Sequence, residues 1–330
     1  MRKLVPVGAA VALLTAAVWV GTDASAVPGR PSAGTKAFRA FADDSWWNTK
    51  VPANAPRSPI EADVLRYMST GPDADGGCLR LAGTGSNKWG QPVYWATAGD
   101  PQFDVRVSGG DRPPELAHMR IPLSAEAAAT SDAAMTVFDR DRGYVVAFTG
   151  AKFSGGTWSA RGATVTYLDS NGLHWRLKRS NDHRNKGSHR GNNGATMMVR
   201  YDEVAAGAVR HVLKVSSGPE TSGRFTFPMV GSDGGSSNPA APREGLRFRI
   251  KPSVDIAALH LNKQAEVIAV ALQKYGMYLG DNGGHTTLKL ENTRASGGTQ
   301  KWTLGSDALC KIPLTSRYWD VIKGGYDPSR

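Results

Sequence analysis

From Gly90 onward the chain is a series of short β-type runs, each cut by Gly, Pro or Asp. Pro92 to Ala96, Phe103 to Val107 and His118 to Pro122 come first. Met135 to Asp139, the turn Arg140 to Gly143, and Tyr144 to Phe148 read as a hairpin by their turn residues. Thr157 to Leu168 and His174 to Leu177 continue the series. With 38 glycines and 19 prolines in 330 residues, turns are supplied throughout. Helical periodicity survives in two places. Ser58 to Met68 has Ser58 as a plausible cap, Pro59 in the first turn, and Ile60, Val64, Leu65 and Met68 on one face. Asn262 to Tyr275 places Ala265, Ile268, Ala269 and Leu272 on one face, and Gly276 stops it. Met277 to Leu279 follows as a strand, and Asp281 to Gly284 as a turn. Many short strands with few helices predict a mainly β fold: a β-sandwich or jelly-roll-like single domain with one or two short helices.

The N-terminus predicts export. Arg2 and Lys3 precede the apolar stretch Leu4 to Val20, and Ala24-Ser25-Ala26 offers a signal peptidase site. The expected organisation is a signal peptide over 1–26, a flexible tether over 27–37 and one β-rich extracellular domain over 38–330. Removing the signal takes Arg2, Lys3 and Asp23, leaving 38 basic against 28 acidic residues. An exported chain this basic is biased toward acidic partners, although an Arg- and Ala-rich composition alone would give the same charge. Cys78 and Cys310 are the two cysteines, and in an oxidising compartment they are expected to pair.

Several stretches share a pattern. They are Ser45-Trp46-Trp47-Asn48 with Val51-Pro52, Val137 to Gly143, Val199 to Lys214, and Ala271 to Gly283. Together they resemble a group of secreted β-rich proteins of actinomycetes and other soil bacteria. The resemblance covers most of the mature chain and implies a single extracellular β-rich domain. It brings no catalytic assignment, so no functional residue is carried over from it.

Candidate chemistry comes from the residues themselves. Ser180 to Gly194 is densely polar and follows a predicted strand, so it reads as a loop leaving a strand end. It offers His183, His189 and Arg190 as candidate catalytic groups and Arg184, Asn192 and Asn193 as substrate-binding ones. A solvated basic loop is the plainer reading. Asp281 and His285 flank a Gly-rich turn and could act as a base with its orienting partner, with Tyr278 nearby for substrate; Asp-Asn-Gly-Gly is also ordinary turn chemistry. Asp139, Asp141 and Glu291 are alternative carboxylates for a hydrolytic pair, with Asp104, Asp132 and Glu203 as further partners. His118, His174, His211 and His260 read as structural. The eight tryptophans of the mature chain read mostly as core, some as sugar-stacking faces.

No His-Glu-x-x-His, Gly-x-Ser-x-Gly or phosphate loop occurs, which removes zincin, α/β-hydrolase and NTPase readings. The leading expectation is an extracellular carbohydrate-active enzyme, cleaving an acidic polysaccharide by lyase-type β-elimination. A glycoside hydrolase with paired carboxylates and a non-catalytic wall- or glycan-binding protein are the rivals. No cofactor is called for, and a structural or catalytic metal is left open. The expected partner is a polysaccharide, with no specific nucleic acid, no membrane after cleavage, and a monomeric chain. The two polar segments, 180–194 and 281–285, are expected to meet across one cleft.

Overall fold

The computed structural model describes residues 37–110, 112–188 and 190–327. The predicted signal peptide, nearly all of the predicted tether and His189 lie outside the described residues. The protein is mainly β. Its principal strands are β1 (Arg80–Ala82), β2 (Val93–Ala96), β3 (Met135–Asp139), β4 (Tyr144–Thr149), β5 (Gly162–Tyr167), β6 (Leu213–Ser217), β7 (Arg247–Ile250), β8 (Met277–Asn282), β9 (Thr287–Lys289) and β10 (Trp319–Ile322). They form a six-stranded sheet in the order β1-β9-β6-β8-β7-β10 and a four-stranded sheet in the order β5-β4-β3-β2. Three smaller sheets complete the described strands.

The predicted hairpin is β3 and β4, antiparallel with Val137 opposite Val146. Both faces of this pair are covered, so its strands carry apolar residues on both faces rather than on one alone. Val137, Val146 and Phe148 pack with Leu116, Met119 and Trp158 on one side. Phe138 and Val145 pack with Trp95, Ala195 and Met198 on the other.

The two predicted helices are α1 (Glu61–Thr70) and α4 (Lys263–Lys274), separated in the chain by the single-turn helices α2 (Gly194–Met197) and α3 (Tyr201–Ala205). The Asn262 side chain caps α4 by accepting from Gln264 N at 2.9 Å. Leu65 and Met68 of α1 and Ile268 and Leu272 of α4 join Phe248, Leu279 and Trp319 in the core of the larger sheet. Fully burying a side chain of this kind contributes about 1.5–3 kcal/mol. The Cys78–Cys310 disulfide is formed, with Cα atoms 4.4 Å apart. It ties the entry to β1 to the segment before β10 across 232 residues.

Some predicted elements differ. Ile60, not Ser58, is the N-cap of α1, with no side-chain cap bond. Phe103 to Val107 is not one strand: Gln102–Phe103 and Arg106–Val107 belong to different small sheets. His174 to Leu177 is a turn, not a strand: Leu177 N donates to His174 O at 2.9 Å, and Trp175 N to Asn185 O at 3.1 Å. Those local bonds take the groups that a ladder would have used. The expected turn at Asp281 starts two residues later, because β8 runs through Asn282. No helix of the described residues is long and apolar enough to cross a membrane.

A cavity between the two sheets as the candidate site

Strand periodicity decides which side chains look inward. Leu213 and Val215 of β6, and Leu288 of β9 with Leu290 just beyond it, lie in the core of the larger sheet. Lys214, Ser216 and Lys289 therefore fall on its opposite face. Asp281 would by simple alternation join Met277 and Leu279 in that core. A register shift intervenes: Val215 pairs with Leu279, but Ser217 pairs with Asn282. The extra residue in β8 is a bulge, which re-aims the side chains beyond it. Asp281 so comes to the face shared by Lys214 and Lys289.

These four residues form one wall of a cavity of about 520 Å³. Ala147, Thr149, Ala163 and Thr164 of the smaller sheet form the facing wall, and Gly187, Ser188, Arg190 and Asn192 close one side. That loop lies tight against β5. Lys186 and Val165 exchange backbone hydrogen bonds of 3.0 and 3.1 Å. Gly187 sits at φ +111°, where an added Cβ would meet the Ala163 carbonyl oxygen at 2.1 Å, so only glycine fits.

Arg190 leaves this loop and pairs with Asp281 Oδ1 at 2.9 Å and with Asp233. Lys214 Nζ holds the other Asp281 oxygen at 3.0 Å. Burial works to raise the Asp281 carboxyl, but Lys214 and Arg190 outweigh it and hold the group below the usual carboxylate range. Lys289 is less well paired; its nearest carboxylate contact is Asp132 Oδ2 at 3.5 Å. Burial first, then the Lys214 charge, push its ammonium below the ordinary lysine range, against the pull of Asp281 and Asp132. Lowering a lysine in this way makes its proton easier to lose, which is the direction a general base needs.

The two polar segments meet where Arg190 pairs with Asp281. Asn192 is buried, donates to Met229 Sδ at 3.2 Å, and approaches the Gly280 carbonyl at 3.5 Å. His183 and His285 are exposed and are not part of the cavity wall. Arg184 chelates Asp182 and lies over the Tyr167 ring at 3.5 Å. Asn193 caps α2, accepting from Ala195 N at 3.0 Å. Tyr278 is buried with Trp46 and Trp47.

The alternative carboxylates are occupied structurally. Asp139 is fully buried between Arg120 and Arg142, at 3.4 and 3.7 Å. Asp141 is an exposed partner of Arg120 at 3.5 Å. Glu291 is buried and accepts from Tyr201 N at 2.8 Å. Among the described residues no group of three or more His, Cys, Asp or Glu could hold a metal ion. Lys214 and Lys289 were not among the predicted site residues. Their signal is a lysine inside an apolar strand, Leu213-Lys214-Val215 and Leu288-Lys289-Leu290. The chain matches no protein-family model, and comparison with curated proteins and with solved structures finds no match.

Proposed function

We propose that the protein is a secreted enzyme that cleaves an acidic polysaccharide by β-elimination in the cavity between its sheets. One observation carries the reading: Lys289, a half-buried lysine held below its ordinary range, faces the same space as Arg190 and Lys214. A uronate carboxylate would sit against Arg190 and Lys214, whose charge makes the adjacent ring proton more acidic. The Lys289 amine takes that proton. The electron pair left on the ring carbon becomes a C=C bond as the neighbouring C–O glycosidic bond breaks, and the departing oxygen takes a proton from water. The basic charge of the chain and its predicted signal peptide support an extracellular anionic substrate.

The test is a panel of polygalacturonate, alginate and a neutral glucan, read by absorbance of unsaturated uronates and by reducing ends. The expected result is both signals rising together on a uronate polymer. Lys289→Met should lower turnover by about 10²–10⁴-fold, the usual worth of a general base, with little change in melting temperature. Reducing ends without absorbance would replace elimination with hydrolysis. Binding without either signal would make the protein a glycan-binding module.

A further inference from the structure

Behind the cavity wall, Arg190 meets a second acid. Its Nε lies 3.8 Å from Glu244 Oε2. Both atoms are buried and without a hydrogen-bond partner among the described residues. Glu244, on the short strand Arg243–Glu244, is fully out of water. Its Oε1 accepts from Ser232 Oγ at 3.1 Å and from Asp233 N at 3.0 Å. The Asp233 carboxyl follows the amide that bonds Glu244, and its negative charge works to raise the Glu244 carboxyl. Of two neighbouring carboxyls, the one better removed from water keeps its proton to higher pH. Asp233 is partly exposed, pairs with Arg190, and accepts from Asn282 Nδ2 at 3.0 Å. The proton therefore belongs on Glu244.

We propose that Glu244 is a positioning residue for Arg190: as the neutral acid it leaves the guanidinium turned toward Asp281 and the cavity, and as the carboxylate it draws Arg190 Nε back. For its functional consequence this rests on the reading of the cavity as an anion site. The charged groups facing Glu244 are Arg190 from the loop and Asp233, with Asp281 of β8 and then Lys214 of β6 beyond Arg190. Arg224 on the paired strand and Arg243 beside Glu244 are exposed. Burial first, then the neighbouring Asp233 carboxyl, pushes Glu244 up to about 7, which places the switch in the neutral range. Anion affinity should then be high below about pH 7 and fall above it.

The measurement is a ¹³C-carboxyl and ¹⁵N-arginine NMR titration of the intact mature chain, with oligogalacturonate affinity followed across the same range. One glutamate should titrate near neutrality, and the Arg190 Nε–H resonance should move with it. Both changes should vanish in Glu244→Gln. Asp233→Asn should lower the midpoint, and this second variant keeps the assignment secure if Glu244→Gln folds poorly. Oligogalacturonate affinity should fall several-fold as the wild type ionises and stay flat in Glu244→Gln. A glutamate titration confined to the ordinary acidic range overturns the proposal, as does an unchanged pH dependence in Glu244→Gln. If Glu244 and Arg190 titrate together but oligogalacturonate binds at no pH, the positioning pair stands and the acidic-glycan reading falls.

Discussion

Arg190 and Arg200 sit in two charged clusters built from the same residue types. Arg200 is 1% exposed. It pairs with Asp202 at 3.1 Å and Glu203 at 3.3 Å, and donates to the Phe38 carbonyl. His211 closes the set, with Nε2 3.0 Å from Glu203 and Nδ1 2.8 Å from the Val212 carbonyl. The rings of Phe38, Trp95 and Phe138 pack around the guanidinium. Arg190 is 19% exposed, keeps a partnerless Nε, and borders open volume. The first cluster also holds a partnerless atom, Asp202 Oδ2, but aromatic rings close it off and it serves the fold. The second has charge left over beside a space, and that surplus rather than charge density marks a site.

Substitution should separate the two clusters most sharply. Arg200→Met removes the guanidinium from Asp202 and Glu203, leaving Glu203 with His211 alone, and should cost about 3–5 kcal/mol of stability, the usual penalty for breaking a buried pair. Arg190→Met leaves Asp281 with Lys214 and should cost about 1 kcal/mol or less, because its partners are part-exposed and screened. Its effect should appear in ligand binding instead. Urea denaturation of both variants decides this, and equal losses would erase the distinction. Gly187→Ala should cost about 1–3 kcal/mol, since alanine must tolerate a left-handed backbone and displace the loop from β5. Because that loop carries Arg190, oligogalacturonate binding should fall together with the melting temperature.

How much of this could be read beforehand depends on how local the cause was. The β3–β4 hairpin was legible because Asp-Arg-Gly sits between two apolar runs, and α4 because its apolar face ends at Gly276. The Ser180–Gly194 segment was legible as polar and close to Asp281, since a loop dense in Arg and Asn must find partners. Lys214 and Lys289 were not. Each alternates with core residues, so each looks solvent-facing until a second sheet covers that side, and no local pattern announces which sheets stack. Asp281 read as a turn residue because the β8 bulge depends on pairing with β6. The histidines drew attention as residue types, yet His183 and His285 are exposed at the surface.

The smallest predicted effect tests the comparison through the sign of a pH dependence. In the closed cluster burial works to raise Glu203, but Arg200 and His211 overcome it and hold the carboxyl below its usual range. Its contribution to stability is present above the unfolded glutamate value and is lost as pH falls through the folded one. Glu244 runs the other way. Its folded value is raised to about 7 from 4.5, so the folded state holds a proton that the unfolded chain has released between those limits. Stability from Glu244 is present below about pH 4.5 and is lost as pH rises through about 7. The shift would be worth about 3 kcal/mol for an isolated group, and roughly 1–2 kcal/mol once Arg190 relaxes toward the new carboxylate. Glu244→Gln keeps the shape of the neutral acid and cannot ionise. Its stability relative to wild type should therefore change little below about pH 4.5 and rise by roughly 1–2 kcal/mol by about pH 8. Denaturant midpoints across that range give the difference directly. A difference that stays constant with pH would mean that Glu244 is ionised throughout, and the open cluster would then be as fully charged as the closed one.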